Sequence, residues 1–88
     1  MKASHILYDN HDQCNEGLAT VKSAPETFEA VAKKHSICPS RHQNGSLGTF
    51  SEGQMVPEFE AAVKSLKPQE LANSCVKTQF GYHIVRRD

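Results

Sequence analysis

The sequence predicts an α+β fold: a four-stranded, mainly antiparallel sheet with three to four helices packed around it, in the order β-α-α-β-α-β-β. Three observations carry this. The 88 residues hold only four short β-prone runs, too few for a doubly wound parallel sheet. Between those runs, apolar side chains recur at spacings of three and four, the mark of helices with one buried face. The last two β-prone runs are separated only by Gln79-Phe80-Gly81, which makes them a hairpin or immediate neighbours.

The first strand covers residues 3–8, where Ala3, His5 and Leu7 alternate with Ser4, Ile6 and Tyr8. Both sets are at least partly apolar, so both faces should be covered. The polar turn at residues 9–12 follows, and either Asn10 or Asp12 suits a helix cap. Cys14, Leu18 and Val21 then stand at helical spacing, in a helix weakened by Gly17, which costs up to ~1 kcal/mol relative to alanine. Ser23-Ala24-Pro25-Glu26 fits a capping box, with Thr27 as a competing start. Phe28, Val31 and Ala32 follow, and Lys33, Lys34 and His35 place positive charge at the C-terminal end, so a second helix is expected over residues 25–35. Residues 36–44, with Pro39 and many polar groups, read as a loop with room for one helical turn.

Residues 45–50 form the second strand, and Gly48 and Gly53 mark places where the backbone turns sharply or is approached closely. Pro57 suits the first turn of a third helix, whose stripe is Phe59, Ala62, Val63 and Leu66 and which ends at Lys67-Pro68. The last two strands cover residues 75–78 and 82–86, with His83 and Val85 on the face opposite Tyr82 and Ile84. No repeat divides the chain, so residues 1–88 are expected to form a single domain.

Ten basic and ten acidic side chains give a formal charge of zero, which argues against nucleic acid or membrane headgroups as partners. The first residues lack the apolar core of a secretory signal, and no run approaches the ~20 apolar residues of a membrane span. A cytoplasmic monomer is therefore expected. Cys14, Cys38 and Cys75 are an odd, sparse set without Cys-x-x-Cys spacing, which fits reduced thiols better than a disulfide framework.

Several residues could carry chemistry. If the first and last strands are adjacent, His5 and His83 come within hydrogen-bonding reach; without an acidic neighbour they would be two neutral rings, each fixing the other's tautomer. The alternative is two unrelated half-buried histidines. Cys38 has three readings: a buried thiol, the commonest state of a free cysteine; a nucleophile, for which the local Ser-Ile-Cys-Pro gives no context; and, least favoured, one ligand of a His35-Cys38-His42 metal cluster whose fourth member would have to be a distant residue such as Cys14 or Cys75. Leu47, Met55, Phe59 and Phe80 serve either as core or as the wall of a pocket.

The chain resembles the parvulin family of peptidyl-prolyl cis/trans isomerases along nearly its whole length. The resemblance lies in Ser4-His5-Ile6-Leu7, in Phe28-Glu29-Ala30-Val31-Ala32-Lys33-Lys34-His35-Ser36, in Gly45-Ser46-Leu47-Gly48-Thr49-Phe50, in Gly53-Gln54-Met55-Val56-Pro57-Glu58-Phe59-Glu60, and in Lys77-Thr78-Gln79-Phe80-Gly81-Tyr82-His83-Ile84. It implies that His5 and His83 are the paired histidines of the site, with Cys38 beside them and Thr78 in their hydrogen-bond network. It implies that Leu47, Met55 and Phe59 form an apolar shelf for the proline ring, with Gln54 and Phe80 at its rim. The implied activity is non-covalent rotation of X-Pro bonds in peptides and in unfolded or folding proteins, with no cofactor and no metal. A module that binds such segments without turning them over is the rival reading.

Four positions depart from the family pattern: Asn44, Ser46, Lys64 and Cys75. The branch that prefers phosphorylated Ser/Thr before proline has basic residues after the first strand. Here that stretch is Asp9-Asn10-His11-Asp12-Gln13, so no such preference is expected.

Overall fold

The computed structural model describes the whole chain, Met1–Asp88, and its centre is one antiparallel sheet of strand order β2-β1-β4-β3. Strand β1 (Lys2–Tyr8) pairs with β4 (Gly81–Arg87) in a register running from Ala3↔Arg87 to Tyr8↔Tyr82. Strand β2 (Ser46–Thr49) lies on the other side of β1, with an irregularity between Lys2 and Ser4. Strand β3 (Val76–Thr78) is the short edge beyond β4. The expected order of elements and the adjacency of the first and last strands are both present.

Alternation along β1 sends its side chains to two separate cores. Ile6, Tyr8 and Ile84 pack against α1 (His11–Ser23) and α2 (Phe28–His35) through Cys14, Leu18, Val21, Phe28 and Ala32. Ala3 and Val85 face the other way, against Phe50 and the Phe59–Val63 stripe of α3 (Pro57–Lys64). His5, Leu7 and His83 belong to this second face, just beyond the packed cluster.

The helix starts differ from expectation in one place. Asn10 caps α1, its side-chain oxygen accepting from the Gln13 amide at 2.8 Å. Residues 25–35 are not one α-helix: a 3₁₀ turn, Pro25–Thr27, precedes α2. The Thr27 hydroxyl donates to the Ala24 carbonyl at 2.6 Å, so it does not cap α2, and the Ser23–Glu26 capping box does not form. The loop does hold its helical turn, a 3₁₀ segment at Pro39–Gln43, closed by Asn44 in the left-handed conformation.

Gly45 follows with φ 86°, and a side chain there would begin 2.6 Å from the His5 carbonyl. Only glycine lets this turn approach β1 closely enough for the His5 amide to donate to the Gly45 carbonyl at 2.9 Å. Gly48 and Gly53 also have positive φ, but open space surrounds both, so they serve turning and not close approach. Lys64 leaves the docking of α3 intact: Phe59 and Val63 are buried, while Lys64 reaches outward to Glu52 at 2.9 Å.

The cysteine reading is corrected. Cys14 and Cys75 form a disulfide, their Cα atoms 6.4 Å apart and 61 positions apart in sequence, and only Cys38 is free. Cys14 lies on the inner face of α1 and Cys75 just before β3, a proximity that depends on the tertiary fold and leaves no trace in local spacing. The metal cluster, the least favoured reading of Cys38, does not assemble. No three His, Cys, Asp or Glu side chains converge, because His35 turns to a cleft between α1 and α2 while Cys38 faces the opposite side of the sheet. No helix is long and apolar enough to cross a membrane.

Candidate active site

On the α3 side of the sheet lies an open cavity of about 480 Å³. His5, Leu7 and His83 form its sheet wall, Ile37, Cys38 and Pro39 one flank, and Leu47, Gln54, Met55, Val56 and Phe59 the other, with Phe80 at the mouth. None of these twelve residues is Asp, Glu, Lys or Arg.

The two histidines are diagonal neighbours on the sheet: His5 sits opposite Val85, and His83 opposite Leu7. Their Nδ1 atoms are 2.9 Å apart. The bond extends at both ends, to the Ser40 hydroxyl 3.0 Å from His5 Nε2 and to the Thr78 hydroxyl 2.7 Å from His83 Nε2. Only one of two facing Nδ1 atoms can carry the shared proton when both rings are neutral, so the tautomers are coupled. In one arrangement Thr78 donates to His83, His83 to His5, and His5 to Ser40. In the other every donor and acceptor reverses.

Each histidine is only 4 % exposed. Burial lowers the His5 pKa from 6.5 to about 4, with the neighbouring His83 adding to the effect, and burial likewise lowers His83 to about 4. At neutral pH the site is therefore an uncharged chain of hydrogen bonds. Phe59 braces both rings edge-on, with centroids 5.6 Å from His5 and 5.4 Å from His83.

The structure brings eight of the nine residues singled out from sequence to the cavity wall: His5, Cys38, Leu47, Gln54, Met55, Phe59, Phe80 and His83. Thr78 stands behind His83 and does not line the cavity, touching that ring from outside. Its oxygen also accepts from the Phe80 amide at 3.2 Å, which ties the network to the mouth. Gln54 is engaged locally, its Oε1 accepting from the Ser51 amide at 2.7 Å. Phe80 and Ile37 are the two large apolar side chains left well exposed, at 58 % and 55 %. Ser40, Leu7, Ile37, Pro39 and Val56 are site residues that sequence reasoning missed. The alternation Ala3-His5-Leu7 placed Leu7 on the right face. Nothing local marks Ser40, which reaches His5 because the Pro39–Gln43 turn folds back on β1.

Residues 7–88 match the PPIC-type PPIase domain, or rotamase. The chain is 43 % identical over 89 residues to the foldase protein PrsA of Caldanaerobacter subterraneus, covering all of this chain and 28 % of that protein. It is 39 % identical over 88 residues to a probable parvulin-type peptidyl-prolyl cis-trans isomerase of Bordetella pertussis, covering 99 % of this chain and 34 % of that one. Among solved structures, PrsA from Bacillus subtilis superposes with a TM-score of 0.90 at 39 % identity, over 100 % of this chain and 34 % of that chain. The parvulin of Nitrosopumilus maritimus superposes with a TM-score of 0.83 at 39 % identity, over 99 % and 92 %. The match along the chain and the shared fold define it as a rotamase domain. The chain belongs to the PPIC-type, or parvulin, family of peptidyl-prolyl isomerase domains. It spans about a third of the length of the curated relatives named above.

Proposed function

We propose that this chain rotates X-Pro bonds in peptides and in folding proteins by a non-covalent route. The observation that carries the reading is a charge-free apolar cavity whose polar wall is a neutral, internally satisfied histidine pair. Rotation about the amide is opposed by a resonance barrier of ~20 kcal/mol, and nothing but that conjugation has to be broken. Leu47, Met55 and Phe59 hold the proline ring, fixing one side of the bond. The twisted amide has less charge separation than the planar one, so a site of low polarity favours it over the ground state. His5 and His83 hold the shape and polarity of the wall. Cys38 contributes a polarisable thiol to the flank and forms no bond to the substrate. No cofactor enters any step.

Phosphorylated segments gain nothing here. The cavity offers no cation, and the run after β1 presents Asp9 and Asp12. The partners are proline-containing and unfolded segments, taken up by a monomer of one domain; the formal charge of zero supports the exclusion of nucleic acid and membranes. A cytosolic location, the expectation from sequence, carries with it an open Cys14–Cys75 pair, and an oxidising compartment carries a closed one.

Exchange NMR on a short Ala-Pro peptide and its phosphoserine-Pro counterpart tests the proposal. Faster cis/trans exchange of the first, with no advantage for the second, is expected. Peptide binding without faster exchange would overturn the enzyme reading in favour of a binding module.

A further inference from the structure

We propose that the Cys14–Cys75 disulfide is a redox-controlled positioning element for the histidine pair, holding the site in order when closed and slackening it when open. This rests on the isomerase reading only for its activity readout. Cys75 adjoins Val76, the cross-strand partner of His83, and Thr78, two residues further on, makes the 2.7 Å contact to His83 Nε2. Strand β3 is three residues long and pairs on one side alone, so its placement depends on Val76 packing against the α3 cluster and on what anchors the segment leading into it.

Helix α1 grips that segment at two points. One is the Lys22 ammonium, donating to the Asn73 carbonyl at 2.6 Å from an exposed position. The other is the disulfide, whose Cys14 end is fully buried in the core beneath α1. An exposed lysine contact is easily exchanged for water, so the covalent link is the firmer of the two holds from α1, nearer to β3 than the Leu71–Arg86 bridge and the Ala72 amide bond to Val85 that tie the segment to β4. Opening it loosens β3 against β4, and a shift there moves the Thr78 hydroxyl, with the Phe80 amide bonded to it, relative to His83.

The chemistry requires an external dithiol as reductant. Cys75 is partly exposed while Cys14 is not, so the attacking thiolate reaches Cys75 Sγ, and Cys14 Sγ leaves and takes up a proton. The second thiol of the reagent then resolves the mixed disulfide, releasing Cys75 as a thiol and leaving the reagent oxidised. Asn15 Oδ1, 3.7 Å from Cys75 Sγ, is ready to accept the new S–H. The buried leaving group makes opening slow, which suits a setting that persists.

The test compares the closed chain, the chain reduced with dithiothreitol, and the Cys75→Ser variant, which keeps Cys14 filling its place in the core. Folding is followed by amide NMR, and X-Pro exchange and the imidazole ¹⁵N signals of His83 are recorded for each. Reduction is expected to lower kcat/KM about fivefold, the worth of one ordinary hydrogen bond, and to move the His83 Nε2 signal while the fold is retained. Reoxidation should restore both, and Cys75→Ser should match the reduced chain and ignore reductant. Unchanged exchange and unchanged His83 signals on reduction would overturn the proposal, leaving the pair a mere staple. Outright unfolding on reduction would overturn it too. If no form accelerates exchange, the isomerase reading fails, and the His83 signals alone decide whether the clamp exists.

Discussion

Mild acid should destabilise this fold well above the pH at which carboxylates titrate. In the unfolded chain His5 and His83 return to the ordinary value of 6.5, while in the folded chain both lie at about 4. Between those values the unfolded chain binds protons that the folded chain refuses. The contribution of the pair is therefore complete above pH 6.5 and is lost as the pH falls through that value towards 4. At pH 5, a ring with these two values has lost about 2 kcal/mol relative to pH 7, and two independent rings about 4. The rings are not independent, because a singly protonated pair keeps its Nδ1–H···Nδ1 bond, so the expected loss is about 2–4 kcal/mol. That is a large share of the ~5–15 kcal/mol by which small domains are stable. Urea unfolding at pH 7, 6 and 5, with the disulfide closed and the slope held common, measures it, and carboxylates contribute little in this window. Equal midpoints at pH 7 and pH 5 would refute the claim that these rings are buried in the neutral form.

Phe59 is both floor of the cavity and core, at 2 % exposure, so Phe59→Ala should cost about 3–5 kcal/mol of stability as well as activity. This differs from the simpler expectation of a shelf residue whose loss is felt mainly in catalysis. Phe59→Leu separates the roles: it should stay folded with a lower kcat/KM, and an unaltered exchange rate in a folded variant would remove Phe59 from the site. Cys38→Ser should retain measurable isomerisation, since the thiol attacks nothing. Complete loss of exchange with an intact amide NMR spectrum would restore the nucleophile reading.

Period-two alternation was enough to put His5 with Leu7 on one face of β1 and His83 with Val85 on one face of β4, because a strand has only two faces; that the two faces coincide came from the β1–β4 pairing. The helical stripes were legible for the same reason: Phe59 and Val63 point where their spacing says. The start of α2 was not, since Ser23, Glu26 and Thr27 each carry cap chemistry and the outcome turned on how Pro25 set the backbone of a 3₁₀ turn. Ser40 and the Cys14–Cys75 pair were illegible for a different reason. Both depend on segments distant in sequence meeting in space, Ser40 across 35 positions to His5 and Cys14 across 61 to Cys75. The blocks shared with the parvulin family supplied the roles of Thr78 and Gln54, which no periodicity distinguishes from an ordinary strand threonine and an ordinary turn glutamine.

If the chain acts as proposed, the absence of ions from the cavity wall governs how clients arrive. With no local charge and a balanced chain, no long-range field draws a partner in, so encounters proceed at the ~10⁵–10⁶ M⁻¹s⁻¹ of unsteered docking and ionic strength barely alters them. On the proposed function, discrimination would rest with the client: a proline that is exposed, on a segment loose enough to enter the hollow between Ile37 and Phe80, would be admitted whatever the charge of its distant surroundings.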